Sequence, residues 1–333
     1  MENPNKLLFI FISLLFLFST LSAKQISKYK KIEPEKGHII KKVPFQKWKK
    51  KNYCGPAAMA MVLSYWKDNK QNQRKIAKEM HGFEEEIAYN SEMVFYPRTI
   101  GMMSYSFNGD IQKLKEIIKK DIPLIVLHKP VKQINKGHYR VVIGFDEDSQ
   151  QIIFHDPLLG ERFAADYDMF NELWHWDDDI NKRKWALAIV PDEIEFDSIN
   201  LESQYLTHIN MATSYYRRKE YEKSLSIWES ACSENPSDPY PVYSIAMTHI
   251  RLDNKQKALE YAEKAVSMDK KNAFALDVLG LAYYKIGKLE DSMNVLSQAM
   301  RLAPEAEFIR QHYLVVRNNY IDSHKKKEEG RKV

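Results

Sequence analysis

Cysteine is scarce in this chain: Cys54 and Cys232 are the only two in 333 residues. That excludes a disulfide framework and a four-cysteine zinc site, so each thiol has to be accounted for singly. Glycine (11) and proline (13) are also few, and with 44% hydrophobic and 12% aromatic residues the chain is neither collagen-like nor low in complexity. It has no GxxxxGK[ST] phosphate loop and no DNA- or RNA-binding motif, so no nucleic-acid partner is expected. Past the N-terminus there is no second apolar run of spanning length. At this length two domains are expected, each large enough to bury a core.

The positive charge is confined to one place. The net charge is +5, but residues 24–51 hold eleven Lys against two Glu, which leaves the chain from Asn52 onward acidic, at about −4. A stretch such as KKVPFQKWKKK can attract phosphates or anionic headgroups. Charge runs are more often simply solvated, so residues 24–42 are expected to be a basic lead-in to a folded domain. Ahead of them, residues 1–23 run from Lys6 through an apolar stretch, Leu7 to Phe18, to small polar residues ending at Ala23. That plan predicts a signal peptide cleaved after Ala23 and an exported chain, periplasmic or secreted. The alternative is an uncleaved anchor over residues 7–23, the one route to membrane contact.

From about residue 200 the pattern is almost purely helical and repeats itself. Segments starting at Tyr205, Pro239 and Ala273 align without gaps at a period of 34 residues. Ala212, Ala246 and Gly280 occupy one small-residue row, and Ala231, Ala265 and Ala299 a second. Tyr215 and Tyr283 fill a bulky row that His249 interrupts; Trp228 and Leu296 fill another, with Ala262 between them. The pattern resembles a tetratricopeptide array, with Pro236 and Pro304 at the family's helix-ending position and Gly287 at its turn glycine. The expected repeats are 205–238, 239–272 and 273–306. A polar helix near Glu305–Tyr320 would cap the apolar end of the stack within residues 200–320, with a charged tail over 321–333. The resemblance implies a concave surface that binds a protein or peptide partner.

Residues 43–192 mix helical and strand patterns. NYCGPAAMAMVLSYW, Asn52 to Trp66, reads as a turn and then a helix apolar on nearly every side, with Cys54 at its opening. Unsatisfied backbone N–H groups and the positive end of the dipole favour a thiolate there and can later hold an oxyanion. A second element, GHYRVVIGFDEDSQQIIFHDP over 137–157, reads as a hairpin turning near Glu147–Asp148. That register sets Asp156 opposite His138 or Arg140, which share a face, so Asp156 lies beside the imidazole either way. A carboxylate so placed orients a histidine and stabilises its imidazolium, as a Cys–His pair needs.

CGPAAMAMVL, then DIPLIVL and GHYRVVIGFDED, then FHDPLLG and FNELWHW, resemble in order the papain-like cysteine peptidases of the bacteriocin-processing, double-glycine-leader type. The fold implied is an α+β papain-like domain followed by an all-α tetratricopeptide solenoid. The resemblance makes Cys54 the nucleophile, His138 the base and acid, and Asp156 the orienting residue. It points to Gln46, eight residues before Cys54, as the side chain that donates to the oxyanion. No metal or organic cofactor is implied. The expected activity is hydrolysis of a peptide or protein substrate. The rival readings are a papain-like acyltransferase or transpeptidase and a catalytically silent envelope scaffold.

Other chemistry-bearing residues are expected to be structural. Cys232 packs in a repeat helix, His155 points away from Asp156 across the strand, and Trp174, His175 and Trp176 form core or cleft wall. His81, His128 and His208 have no arguable role.

Overall fold

The computed structural model describes residues 30–31, 34, 36–80, 88–129, 137–175, 184–199, 201 and 203–330, so the expected signal peptide, His81 and Trp176 lie outside the described residues. The chain divides between Glu202 and Ser203. In the first unit the apolar runs become one antiparallel sheet: β1 (Lys30–Lys31), β2 (Gly37–Ile39), β3 (Met102–Asn108), β4 (Leu124–His128), β5 (His138–Asp146), β6 (Gln151–Asp156), β7 (Gly160–Asp166) and β8 (Trp185–Pro191). Their order is β1-β7-β6-β5-β4-β8-β3, with β2 paired to β5 off that path. Every residue of β4 and β5 is buried, which explains why neither shows the in–out alternation of a half-exposed strand.

The helices of this unit are α1 (Cys54–Lys67), α2 (Gln73–Glu79), α3 (Asn90–Thr99), α4 (Ile111–Ile118), α5 (Tyr167–Trp174) and the single turn α6 (Phe196–Ile199). Each residue from Ala57 to Leu63 in α1 is fully buried. The helix is apolar all round because core surrounds it, which holds its N-terminus in place. The basic lead-in departs from expectation: Lys30–Lys31 pairs with β7 and Gly37–Ile39 with β5, so both are sheet edges. Backbone bonds explain how such polar residues join a sheet. Glu147 N–H donates to Lys36 C=O at 2.6 Å and Ile40 N–H to Ile143 C=O at 2.8 Å, independent of side-chain character.

The second unit consists of α7 (Tyr205–Arg217), α8 (Tyr221–Glu234), α9 (Pro239–Arg251), α10 (Lys255–Met268), α11 (Ala273–Lys285), α12 (Leu289–Leu302) and α13 (Glu307–Gly330). First helices begin at 205, 239 and 273, and second helices at 221, 255 and 289, so the 34-residue offset holds for both. Ala212, Ala246, Ala231, Ala265 and Ala299 are all fully buried. A Cβ on Gly280 would stand 2.5 Å from Leu296 Cγ, which is why this row admits only small residues. One further row escaped the alignment: Ser224 and Ser292, one period-pair apart, donate their hydroxyls to Ala212 C=O (2.8 Å) and Gly280 C=O (2.6 Å), with Ala258 between them. The inter-helix turns pass through positive φ at Lys219, Asp253 and Gly287, and only the third has the residue suited to it. The terminal helix starts at Glu307 and runs unbroken to Gly330, so the expected tail is largely helical. Ile309 and Val316 anchor it, fully buried.

Gly280→Ala should destabilise the repeat unit by about 1–3 kcal/mol, because Leu296 has no free space to retreat into. Urea unfolding followed by far-UV circular dichroism checks this; an unchanged midpoint would mean the α11–α12 contact relaxes freely.

Candidate active site

The site begins at the head of α1. Asn52 takes φ 67, turning the chain so that Tyr53 becomes the N-cap and Cys54 the first helical residue. Gly55 follows because Ala88 Cβ would lie 2.5 Å from any side-chain carbon there, and the Tyr139 ring at 3.3 Å. Cys54 is 8% exposed. Burial pushes its thiol up, but the hydrogen bond and charge of His138 and the backbone N–H groups of Tyr139 and Gly55 outweigh that, and the thiol ionises below its ordinary range.

His138 opens β5 and Asp156 closes β6. Val141 faces His155 and Val142 faces Phe154, a register that sets Asp156 opposite Arg140, with His138 two residues along the same face. His138 Nε2–H donates to Asp156 Oδ1 at 2.8 Å, which leaves Nδ1 for the Cys54 thiol. Burial works against charge on the imidazole, but Asp156 and Cys54 prevail and raise His138 to about 9. Burial likewise opposes charge on Asp156, yet His138 and Arg140 hold its carboxyl well below the usual carboxylate range. The arrangement therefore favours a thiolate beside an imidazolium, backed by a carboxylate.

Asp156 is held on every side. Oδ1 also accepts from the backbone N–H groups of Leu158 (2.8 Å) and Leu159 (3.1 Å), and Oδ2 accepts from Arg140 Nε (2.8 Å). Arg140 is buried, lies over the Phe154 ring, and donates through Nη1 to His128 Nδ1 at 2.7 Å. Burial, with the Arg140 and His138 charges, pushes His128 well down, so it is a neutral acceptor. His128, expected to be without a role, thus seats the arginine. His128 pairs directly with His138 across β4 and β5, a contact that the pattern of neither strand signals.

The structure brings Cys54, His138 and Asp156 together but not Gln46. The Gln46 amide donates to Ser64 Oγ and Gln71 C=O, both at 3.2 Å. Ser64 lies ten residues along α1 from Cys54, roughly 15 Å at the helical rise. Gln46 therefore ties its own segment to the far part of the helix and is not placed to reach an oxyanion at Cys54. After Gln46 the chain bends at Lys49–Lys50 and turns at Lys51–Tyr53 to reach the helix head. Trp48, from that run, packs edge-on against His138 at 6.0 Å, with its N–H donating to Pro157 C=O at 3.0 Å.

His155 points to the opposite face: Nδ1 accepts from Arg162 N–H (3.1 Å), so Nε2 carries the proton and donates to Val43 C=O (3.0 Å). Trp174 is fully buried, its indole N–H on Trp185 C=O. Cys232 sits partly buried among Trp228, Ile245 and Tyr261, with its thiol pushed up by burial. No cluster of metal-ligating side chains occurs among the described residues.

Comparison with known proteins agrees with these two units. Residues 40–178 match the model of the Peptidase_C39-like family, and residues 242–272 and 275–305 match the tetratricopeptide repeat. The chain therefore carries a Peptidase_C39-like domain of papain-like peptidase fold, followed by tetratricopeptide repeats. The first repeat, 205–238, falls outside the matched residues yet has the same helix offsets. Among solved structures the chain is similar to the Sgt2 TPR domain from Aspergillus fumigatus, at 19% identity and TM-score 0.35 over 36% of this chain and 82% of that one. It is also similar to the first TPR of Spaghetti (RPAP3) bound to an HSP90 peptide, at 16% identity and TM-score 0.33 over 35% and 93%. A third is MamA 41-end from Desulfovibrio magneticus RS-1, at 22% identity and TM-score 0.32 over 38% and 70%. No curated protein matches the chain.

Arg140→Met should raise the pH at which His138 loses its proton, followed by NMR of the imidazole. Without the guanidinium the Asp156 charge is uncompensated and holds that proton more tightly. Arg140→Lys, which keeps the charge, should return the midpoint toward wild type. A midpoint that stays put in Arg140→Met would reduce the arginine to a space-filler.

Proposed function

We propose that the chain is a cysteine peptidase in which Cys54, His138 and Asp156 form the catalytic triad. One observation carries this reading: a single imidazole joins a thiol at the head of a buried helix to a buried, ionised carboxylate. The Cys54 thiolate attacks a peptide carbonyl, and a tetrahedral oxyanion forms next to the backbone N–H groups of the α1 head. His138 passes its proton to the departing amine, leaving a thioester on Cys54. The now neutral imidazole takes a proton from water, which attacks the thioester, releases the acid and restores the resting pair. Asp156 fixes the imidazole orientation throughout.

The repeats fit a role in holding a protein or peptide partner, the use to which such concave arrays are put. The run from Leu7 to Phe18 and the small residues up to Ala23 support export, with removal of residues 1–23. If that holds, protein recovered from the producing cell starts at Lys24 by intact mass; a mass that includes Met1 would favour the anchored form.

The deciding experiment is incubation of the full chain with a mixed peptide pool and analysis of the products by mass spectrometry. Cys54→Ala should abolish cleavage, by about 10^4-fold or more, while leaving the circular dichroism spectrum unchanged. For wild type the rate should fall as pH rises through about 9, where His138 loses the proton that the leaving amine requires. Full activity in Cys54→Ala would overturn the mechanism.

A further inference from the structure

The lysine-rich segment that precedes α1 is used by nothing described above. From Lys41 to Lys51 the chain carries six Lys and no acidic residue, and all six are exposed. Among the described residues, Lys41, Lys42, Lys47, Lys49 and Lys51 have no ion-pair partner. Like charges packed this closely repel one another, and a lead-in that had only to be soluble would gain from interspersed acids.

Their backbone is nonetheless fixed at the site. His155 donates to Val43 C=O, Gln46 bonds Ser64 and Gln71, and Trp48 N–H bonds Pro157 C=O one residue past Asp156. The Gln73 side chain clasps the segment twice, accepting from Lys49 N–H at 2.8 Å and donating to Lys47 C=O at 3.0 Å. Gln46 is buried and Trp48 half-buried against His138, whereas Lys47 and Lys49 face outward. Both lysines flank Trp48, and the chain bends at Lys49–Lys50 before the turn at Lys51–Tyr53 that leads into α1. Charged or neutral, the Cys54–His138 pair adds no net charge, the Asp156 carboxylate and Arg140 guanidinium cancel, and His128 is neutral. The lysines therefore add positive charge beside this site.

We propose that the pinned segment Lys41–Lys51 guides an acidic stretch of a peptide substrate to Cys54, with Lys47, Lys49 and Lys51 selecting carboxylate side chains next to the bond that is cut. This deepens the peptidase reading and rests on it. Electrostatic focusing of this kind raises encounter rates and is screened by salt, with a Debye length of about 10 Å at 0.1 M. An acidic peptide is favoured over an anionic membrane because Lys47 and Lys49 flank Trp48, whose ring meets the histidine of the proposed triad, so a chain that reaches Cys54 passes beside these charges.

The test compares alkylation of Cys54 in the full chain by anionic iodoacetate and by neutral iodoacetamide, which needs no substrate. In wild type the iodoacetate-to-iodoacetamide rate ratio should be high at about 20 mM salt and drop severalfold by about 500 mM. In the triple variant Lys47→Glu, Lys49→Glu, Lys51→Glu the low-salt ratio should fall about tenfold. With the peptide pool, wild type should favour peptides with Asp or Glu flanking the cut and the variant should lose that preference through KM, with kcat little changed. A ratio that ignores both salt and the triple substitution overturns the proposal, as does cleavage without acidic preference. Loss of binding to phosphatidylserine vesicles alone, with peptide preference intact, assigns the lysines to a membrane and also overturns it. If the alkylation ratio behaves as expected but no peptide is cut, the anionic guide stands and the peptidase reading fails.

Discussion

A single buried carboxylate organises the first unit. Asp156 is 1% exposed and ionised, a state that a protein interior tolerates only when donors surround the charge. Four groups do so: the His138 imidazole, the Arg140 guanidinium and two backbone N–H groups from the turn after β6. Each requirement constrains another element. His138 and Arg140 must share a face of β5, the β5–β6 register must hold at Val141 and Val142, and the chain must turn tightly at Pro157–Leu159. Leaving such a charge without one partner costs about 3–5 kcal/mol, a large part of a domain's stability. The arrangement that lowers the Cys54 thiol through His138 is therefore the same one that the fold requires for its own buried charge.

The thiol depends on a different constraint, the burial of α1 from Cys54 to Ser64. A helix so enclosed has little room to rotate or slide, which fixes its first residue. The segment leading into it is also fixed by polar side chains: His155 and Gln73 bond its backbone, and Gln46 bonds the helix it leads into. Those pins hold Trp48 edge-on to His138 while the lysines remain exposed.

The second unit relies on size rather than charge. Alanine rows and Gly280 let paired helices approach, and Ser224 and Ser292 use that closeness to bond the facing backbone. The same geometry continues past the last full repeat. Phe308 stands one period after Phe274, and the two rings stack at 5.8 Å, so α13 occupies the place of a fourth first helix.

How far each part could be read from the chain follows from how local its cause is. The 34-residue repeat was legible because each helix pair meets the same neighbours, so the same small residues recur at fixed spacing. The nucleophile position was legible because CGP followed by an apolar run marks a buried helix and its start, and the proximity of His138 to Asp156 because a hairpin carries both. Local cues were not enough for Gln46: the family resemblance suggested a donor at the site, but its partners are Ser64, on the far part of α1, and Gln71, beyond the end of that helix. Arg140 and His128 meet through pairing of β4 with β5, a contact that no motif encodes, and β1 and β2 join the sheet through backbone bonds that leave no side-chain signature. Residue identity and short-range periodicity alone determined the two architectures and the helix that bears Cys54. Only the tertiary structure decided which side chains reach Asp156 and where the segment before Cys54 is pinned, because these contacts span strands and loops whose mutual approach depends on the whole core.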